Sequence, residues 1–393
     1  MSGFAAGLDR LLDGGLDRLA GRRYGLLAHA ASLTAELVPA HLALVAAGRP
    51  PAVLFGPEHG YYGVEQDMVA AQDAADPWTG VPIRSLYGAS EASLVPAPEA
   101  FRGLDLLVVD LQDVGARYYT YAATAVWAAE TALAAGCDVW VLDRPNPLGG
   151  ERVEGNLLEP GYESFVGAFR VPVRHGLTLG ELVRLEAARR GLEGPLEVWE
   201  MAGWTRGDGW PGGRPFVAPS PNVPTLDVAA LYPGGCLVEA TRLSEGRGTT
   251  RPFRLVGAPW VDPPRLARRL AERGLGGAAF VPTYFRPQFQ KHAGEVCGGV
   301  EIVVTDPAAL APYALGAELL MALAEHGPER FAWRDAPYEF VADRPAVDLL
   351  AGTDRLRRAI DARDRAALAE WVASWEADER AFDEERREAL LYR

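Results

Sequence analysis

The sequence predicts an α/β protein built on a parallel sheet, and two observations lead there. Short apolar runs end abruptly in polar and glycine residues and are followed by helical patterns, the alternation that βα units produce. The runs are continuous rather than alternating, as strands buried on both faces of a parallel sheet require. Four of them are Tyr24-Gly-Leu-Leu-Ala28, Ala52-Val-Leu-Phe55, Leu104-Asp-Leu-Leu-Val-Val109 and Asp138-Val-Trp-Val-Leu142. Between them the patterns predict helices from Leu37 to Ala47 and from Tyr121 to Ala135, the second closed by Gly136, a residue suited to the left-handed turn after a helix.

Beyond Gly150 a stretch rich in Pro, Gly and Trp, from Trp204 to Pro224, forbids long regular elements. A second α/β pattern follows, with a helix near Pro264 to Arg273, an apolar run Val300-Glu-Ile-Val-Val304 and a helix near Tyr313 to His326. Leu368, Trp371, Val372 and Trp375 fall on one face of a final helix. We divide the chain into a parallel-sheet domain, 1–240, and a smaller α/β domain, 241–393.

With 393 residues, 49% of them hydrophobic and 23% charged, the chain has the composition of a globular protein of more than one domain. A net charge of −14 repels phosphate backbones, which excludes nucleic acid as a partner. Cys137, Cys236 and Cys297 are widely spaced and lack a Cys-x-x-Cys pairing, so neither a disulfide framework nor a thiolate metal site is expected. Charges at Asp9, Arg10, Asp13, Asp17 and Arg18 interrupt any signal-peptide core, and no run reaches the roughly 18 apolar residues of a membrane span. The expected location is cytoplasmic. No phosphate-binding glycine motif and no Gly-x-Ser-x-Gly elbow is present, so no cofactor and no serine nucleophile are expected.

Ligands of open parallel sheets bind at the carboxyl ends of the strands, so the residues after each run are the informative ones. They are Gly56-Pro-Glu58-His59-Gly60, then Asp110-Leu-Gln112-Asp113-Val-Gly115-Ala-Arg117-Tyr118-Tyr119-Thr120-Tyr121, then Asp143-Arg144-Pro-Asn146-Pro147. A carboxyl group desolvated in such a cleft can act as a general acid near neutral pH. Asp110, Asp113 and Asp143 have the competing role of capping helices or binding loop amides. Glu58 follows a proline and has no such role, which makes it the candidate acid. For His59, catalysis and a plain backbone hydrogen bond stand level. Metal binding by Glu58, His59, Asp110 and Asp143 lacks the usual ligand spacing. The Arg117–Tyr121 segment offers phenols and a guanidinium, a surface suited to sugars. Pro219-Ser-Pro-Asn222 and Ser244-Glu245-Gly-Arg247-Gly-Thr249 add two constrained polar loops.

Together with Ser85-Leu-Tyr-Gly88, Leu142-Asp-Arg-Pro-Asn-Pro147 and Arg344-Pro-Ala-Val-Asp348, these motifs resemble the exo-β-N-acetylmuramidases of glycoside hydrolase family 171, formerly an uncharacterised DUF1343-type family. The resemblance implies a Rossmann-like catalytic domain with a smaller C-terminal domain. It further implies removal of N-acetylmuramic acid from the non-reducing end of peptidoglycan-derived amino sugars during cell-wall recycling. The chain departs from the family where relatives usually carry an export signal, and where Ala28-His29 replaces a Thr-Asn pair.

Glycoside hydrolysis ordinarily needs a protonated carboxyl and a second group that takes up charge at the anomeric carbon. Glu58 is the expected acid; Glu245, Asp110 or the substrate's 2-acetamido oxygen is the second group, with Glu245 preferred. Asp110, Gln112, Arg117, Tyr118, Tyr119, Tyr121, Asp143, Arg144, Asn146, Asn222 and Arg247 are the expected substrate contacts. Arg117, Arg144 and Arg247 are candidates for reading the lactyl carboxylate. Two other readings stand: a muropeptide-binding protein without catalysis, and a metal-assisted amidase or esterase using His59 and the aspartates.

Overall fold

Seven strands form the main sheet of the computed structural model, which describes residues 3–65, 73–88 and 90–393. They are β1 (Tyr24–Ala28), β2 (Val53–Gly56), β3 (Ala74–Ala75), β4 (Pro82–Ser85), β5 (Leu106–Asp110), β6 (Asp138–Leu142) and β7 (Leu196–Trp199), in the spatial order β3-β4-β2-β1-β5-β6-β7. Every pairing is parallel except that of β3 with β4. The chain runs outward from β1 through β2 to β4, then returns to lay β5 on the other side of β1. That reversal opens a crevice at the carboxyl ends of β1 and β5.

All five residues of β1 and of β5 are buried, which explains why their apolar runs do not alternate. One face of the sheet packs against helices Gly7–Gly14 and Ala40–Ala46 through Leu8, Leu11, Leu26, Leu44 and Leu54. The other face carries helix Tyr121–Ala134, whose alanines let it lie close to the strands, and helix Leu179–Arg190. Thr178 caps the latter: its hydroxyl accepts from the Glu181 N–H while Glu181 reaches back to the Thr178 N–H.

The smaller part holds three antiparallel strands, β8 (Leu255–Ala258), β9 (Ala278–Phe285) and β10 (Cys297–Val304), in the order β8-β10-β9, with helix Pro263–Ala271 against them. Helix Leu226–Gly235 crosses helix Pro312–His326 at glycines: a Cβ on Gly234 would lie 1.8 Å from the Pro312 carbonyl oxygen, so only glycine permits this approach. One continuous core joins both parts. The final helix, Arg365–Glu385, buries Leu368, Trp371 and Trp375 on one face, and Trp371 and Trp375 pack on Tyr313. No helix among the described residues is long and apolar enough to cross a membrane.

Candidate active site

Glu58 leaves β2 through a tight turn. The Gly60 N–H donates to the Pro57 carbonyl at 3.0 Å. His59, the next residue, takes a φ of 69° in the left-handed region. Its Nδ1 donates to the Glu65 carbonyl at 3.1 Å, so the backbone hydrogen bond named as its alternative role exists. The Glu58 side chain is buried at the head of helix Tyr121–Ala134, where its Oε2 accepts from the Thr120 hydroxyl at 2.6 Å. Tyr121 donates to the Pro219 carbonyl at 2.9 Å and approaches the Glu58 carbonyl at 3.3 Å. Burial, with the Glu58 charge second, pushes its phenol far up, so it remains a donor.

Around Glu58 a narrow cleft of about 40 Å³ is walled by His59, Tyr118, Tyr119, Thr120 and Tyr121 on the sheet side and by Ser220 and Asn222 of the rigid loop. Tyr232, Glu239, Arg247, Phe253, Tyr338 and Glu339 line it further, with Val166 and Val223. The Arg247 guanidinium donates to Glu239 at 2.7 Å and lies 5.6 Å from the centre of the Phe253 ring. Tyr338 donates to the other Glu239 oxygen at 3.0 Å.

Of the expected residues, Glu58, His59, Tyr118, Tyr119, Tyr121, Asn222 and Arg247 line this cleft. Asp110, Gln112, Arg117, Asp143, Arg144, Asn146 and Glu245 do not line it, and their hydrogen bonds show what they do instead. Asp110 receives a two-pronged ion pair from Arg144, at 2.5 and 2.8 Å, both side chains buried. Arg117 spends its guanidinium on four carbonyls, those of Asn156, Val171, Leu350 and Ala351, at 2.8–3.0 Å. Gln112 donates to the carbonyls of Asp113 and Pro145, each at 2.7 Å. Asn146 donates to Leu177 and accepts from Leu148; a Cβ on Gly115, at φ 77°, would fall 2.4 Å from its Oδ1. Asp143 accepts from Thr178 and Tyr392, each at 2.6 Å, and from the Gly180 N–H at 2.8 Å, the amide-binding role weighed for it above.

Glu245 lies behind Arg247, with Lys291 at 2.8 Å and the Arg247 Nε at 3.6 Å. Burial raises its carboxyl, but Lys291 and then Arg247 outweigh that and hold it below the ordinary glutamate value. Anionic as the expected second group should be, it nevertheless turns one oxygen to Lys291 and the other toward Arg247 and does not line the cleft. His29 is also structural: its Nε2 accepts the Gln112 N–H at 2.9 Å, its ring meets Tyr121 edge-on, and burial lowers it to about 3, so it stays neutral. Among the described residues no group of three or more His, Cys, Asp or Glu side chains is placed to hold a metal ion.

The buried carboxyls behind the cleft give a prediction for stability. Burial is the main cause that raises Asp113 to about 7 and Asp143 to about 6. Their folded values exceed the unfolded ones, so the stability they contribute is full below about pH 4 and lost as pH rises through 6 to 7. The neutral Asp113→Asn variant escapes that loss. Its stability relative to wild type should rise by about 2–4 kcal/mol between pH 4 and pH 8. Denaturant melts of both proteins at the two pH values check this; a constant difference would contradict it.

A buried carboxyl facing a cleft walled by tyrosines, a second carboxylate and a guanidinium is the equipment of a glycoside hydrolase. Comparisons with known proteins narrow the class. Residues 24–227 match the family model described as "Exo-beta-N-acetylmuramidase NamZ, N-terminal", and residues 230–392 match its C-terminal counterpart. The "Peptidoglycan beta-N-acetylmuramidase NamZ" of Bacillus subtilis (strain 168) is 37% identical over 391 residues, covering 98% of this chain and 91% of that protein. Two crystal structures of DUF1343 family proteins from Bacteroides fragilis NCTC 9343 superpose with TM-scores of 0.86 and 0.78, at 29% and 27% identity. Each covers the whole of this chain, with 100% and 99% of the other chain matched. The chain belongs to the NamZ family of exo-β-N-acetylmuramidases. It is a glycoside hydrolase with that family's activity.

Proposed function

We propose that the cleft around Glu58 binds the terminal N-acetylmuramic acid of peptidoglycan fragments and cleaves its glycosidic bond, with Glu58 as general acid. The observation that carries this reading is that Glu58 is the one expected catalytic carboxylate that lines the cleft, the others being held in structural bonds. Thr120 holds one Glu58 oxygen and leaves Oε1 to carry the proton. As the bond from the anomeric carbon to the leaving oxygen breaks, that proton passes to the oxygen and positive charge grows at the carbon. Glu239 stands in the same cleft to balance it, and Arg247 takes the lactyl carboxylate, which a chain of charge −14 would otherwise repel. The tyrosines cover the sugar face.

The 40 Å³ cleft is too small for a sugar ring, so entry requires the turn at Tyr338–Val341, contributed by the closing part (241–393), to move aside. Glu339 and Phe340 in that turn hold φ values of 46° and 68°, in the left-handed region. Three buried free thiols, Cys137, Cys236 and Cys297, suit a reducing cytoplasm, and we assign the enzyme to cell-wall recycling there.

Paired variants test the role of Glu239. Glu239→Gln should lower kcat by about 10²-fold or more, on the scale of losing one electrostatic stabiliser of the transition state. Glu245→Gln should hold kcat within about tenfold while lowering the melting temperature, because it weakens a buried ion pair. Kinetics on an aryl β-N-acetylmuraminide alongside thermal melts decide between them. The reverse ranking of kcat would return the second catalytic role to Glu245.

A further inference from the structure

A second and roomier cleft, of about 470 Å³, lies at the seam between the two parts of the molecule. Loops 147–152 and 206–210 form one side, and helix Leu226–Gly235 with segment 304–312 forms the other. Three guanidiniums line it, those of Arg152, Arg174 and Arg206. Arg174 is 8% exposed, donates to the Leu148 carbonyl, and has an Nε with no hydrogen-bond partner among the described residues. Arg152 is exposed and donates to the carbonyls of Ala308 and Leu310 at 2.6 and 3.1 Å.

Among the described residues neither Arg152 nor Arg174 makes an ion pair. Their charges act on each other: burial, and then Arg152, lower Arg174 to about 10. The other cation of this cleft, Arg206, is neutralised by Glu181 at 2.6 Å. Glu154, whose charge also bears on Arg174, accepts the N–H groups of Tyr313 and Ala314 on Oε1, each at 3.0 Å, and its buried Oε2 has no hydrogen-bond partner among the described residues and makes no ion pair with Arg174. Glu154 and Glu379 act on Arg152 only from beyond ion-pair distance, so a buried donor without a partner, the Arg174 Nε, stands beside a guanidinium that no carboxylate contacts, and an anion would complete both.

The remaining lining says which anion. Glu151, exposed and without an ion pair among the described residues, stands at the rim with Asp208 and Asp227, which disfavours a dianion such as phosphate. Leu226, Ala230 and Leu310 give an apolar wall. We propose that this second cleft binds a short peptide as a zwitterion, its carboxylate on Arg152 and Arg174 and its ammonium at Glu151. The assignment is independent of the role given to Glu58. A free peptide carries both charges; the arm of a peptidoglycan fragment, whose first amino group is an amide of the lactyl carboxyl, shares the carboxylate and can bring an ammonium to Glu151 only from a side chain.

Titration calorimetry of the full chain with alanyl-alanine, its C-terminal amide and N-acetylmuramic acid tests the proposal. The dipeptide should bind, the amide at least tenfold more weakly, and saturating N-acetylmuramic acid should not displace it. Arg152→Met and, separately, Glu151→Gln should each weaken the dipeptide severalfold or more; both sites are exposed, and melting temperatures verify folding. If Arg152→Met raises KM only for a peptide-bearing substrate, the occupant is the substrate's own arm. If it leaves KM unchanged for both substrate types while dipeptide binding is lost, the occupant is a free peptide. No binding at millimolar dipeptide, equal binding of the amide, or competition by N-acetylmuramic acid overturns the proposal.

Discussion

Glu58→Gln is expected to hydrolyse a natural N-acetylmuramyl disaccharide about 10²–10⁴-fold more slowly than wild type, the usual worth of general acid assistance. The amide preserves shape, and its carbonyl oxygen still accepts from the Thr120 hydroxyl, so folding and sugar affinity should change little. The loss should shrink on aryl substrates, whose leaving groups depart without protonation. That contrast separates a lost acid from a damaged pocket, which would slow both substrates alike. A variant with near wild-type rate on the disaccharide would remove Glu58 from the mechanism.

Arg117→Met should have the largest effect on stability. The guanidinium is 5% exposed and donates to four carbonyls, two of them at the end of helix Ala346–Ala351 in the smaller part. Methionine fills part of the volume and satisfies none of those oxygens. A buried acceptor left bare costs about 1–3 kcal/mol, so with partial relaxation the total should be about 3–5 kcal/mol. For a chain of 393 residues, thermal melts should show a fall of about 4–6 °C. Had Arg117 been a reader of the lactyl carboxylate, the variant would keep its melting temperature and lose only affinity for muramoyl substrates.

That contrast marks what the sequence could reveal. Strands β1 and β6 were legible to the residue because burial on both faces leaves an uninterrupted apolar run. The edge strands were not: β7 is half-buried throughout, and β9 is partly exposed and interrupted by Pro282, so neither has that signature. Glu58, which we propose as the acid, stands out in the sequence because nothing local explains a glutamate after Gly-Pro, and it lines the cleft. Asp110, Asp143, Arg144 and Asn146 share its position at strand ends, but a buried structural hydrogen bond and a ligand contact ask for the same residue types there. Only the partners tell them apart. Glu239 was hidden in the run Cys236–Ala240, which reads as the apolar end of a helix, and Tyr338 and Glu339 sit in a stretch with no motif. Their place in the cleft depends on how the smaller part folds back, a long-range fact that local spacing does not carry.

The most direct test of the account is a crystal structure of the Glu58→Gln variant with N-acetylmuramyl-β-1,4-N-acetylglucosamine bound. The residue 58 amide is expected within about 2.6–3.2 Å of the glycosidic oxygen, with the lactyl carboxylate on Arg247 and the Tyr338–Val341 turn displaced. A disaccharide seated away from residue 58, with its scissile oxygen beyond hydrogen-bond reach, would contradict it.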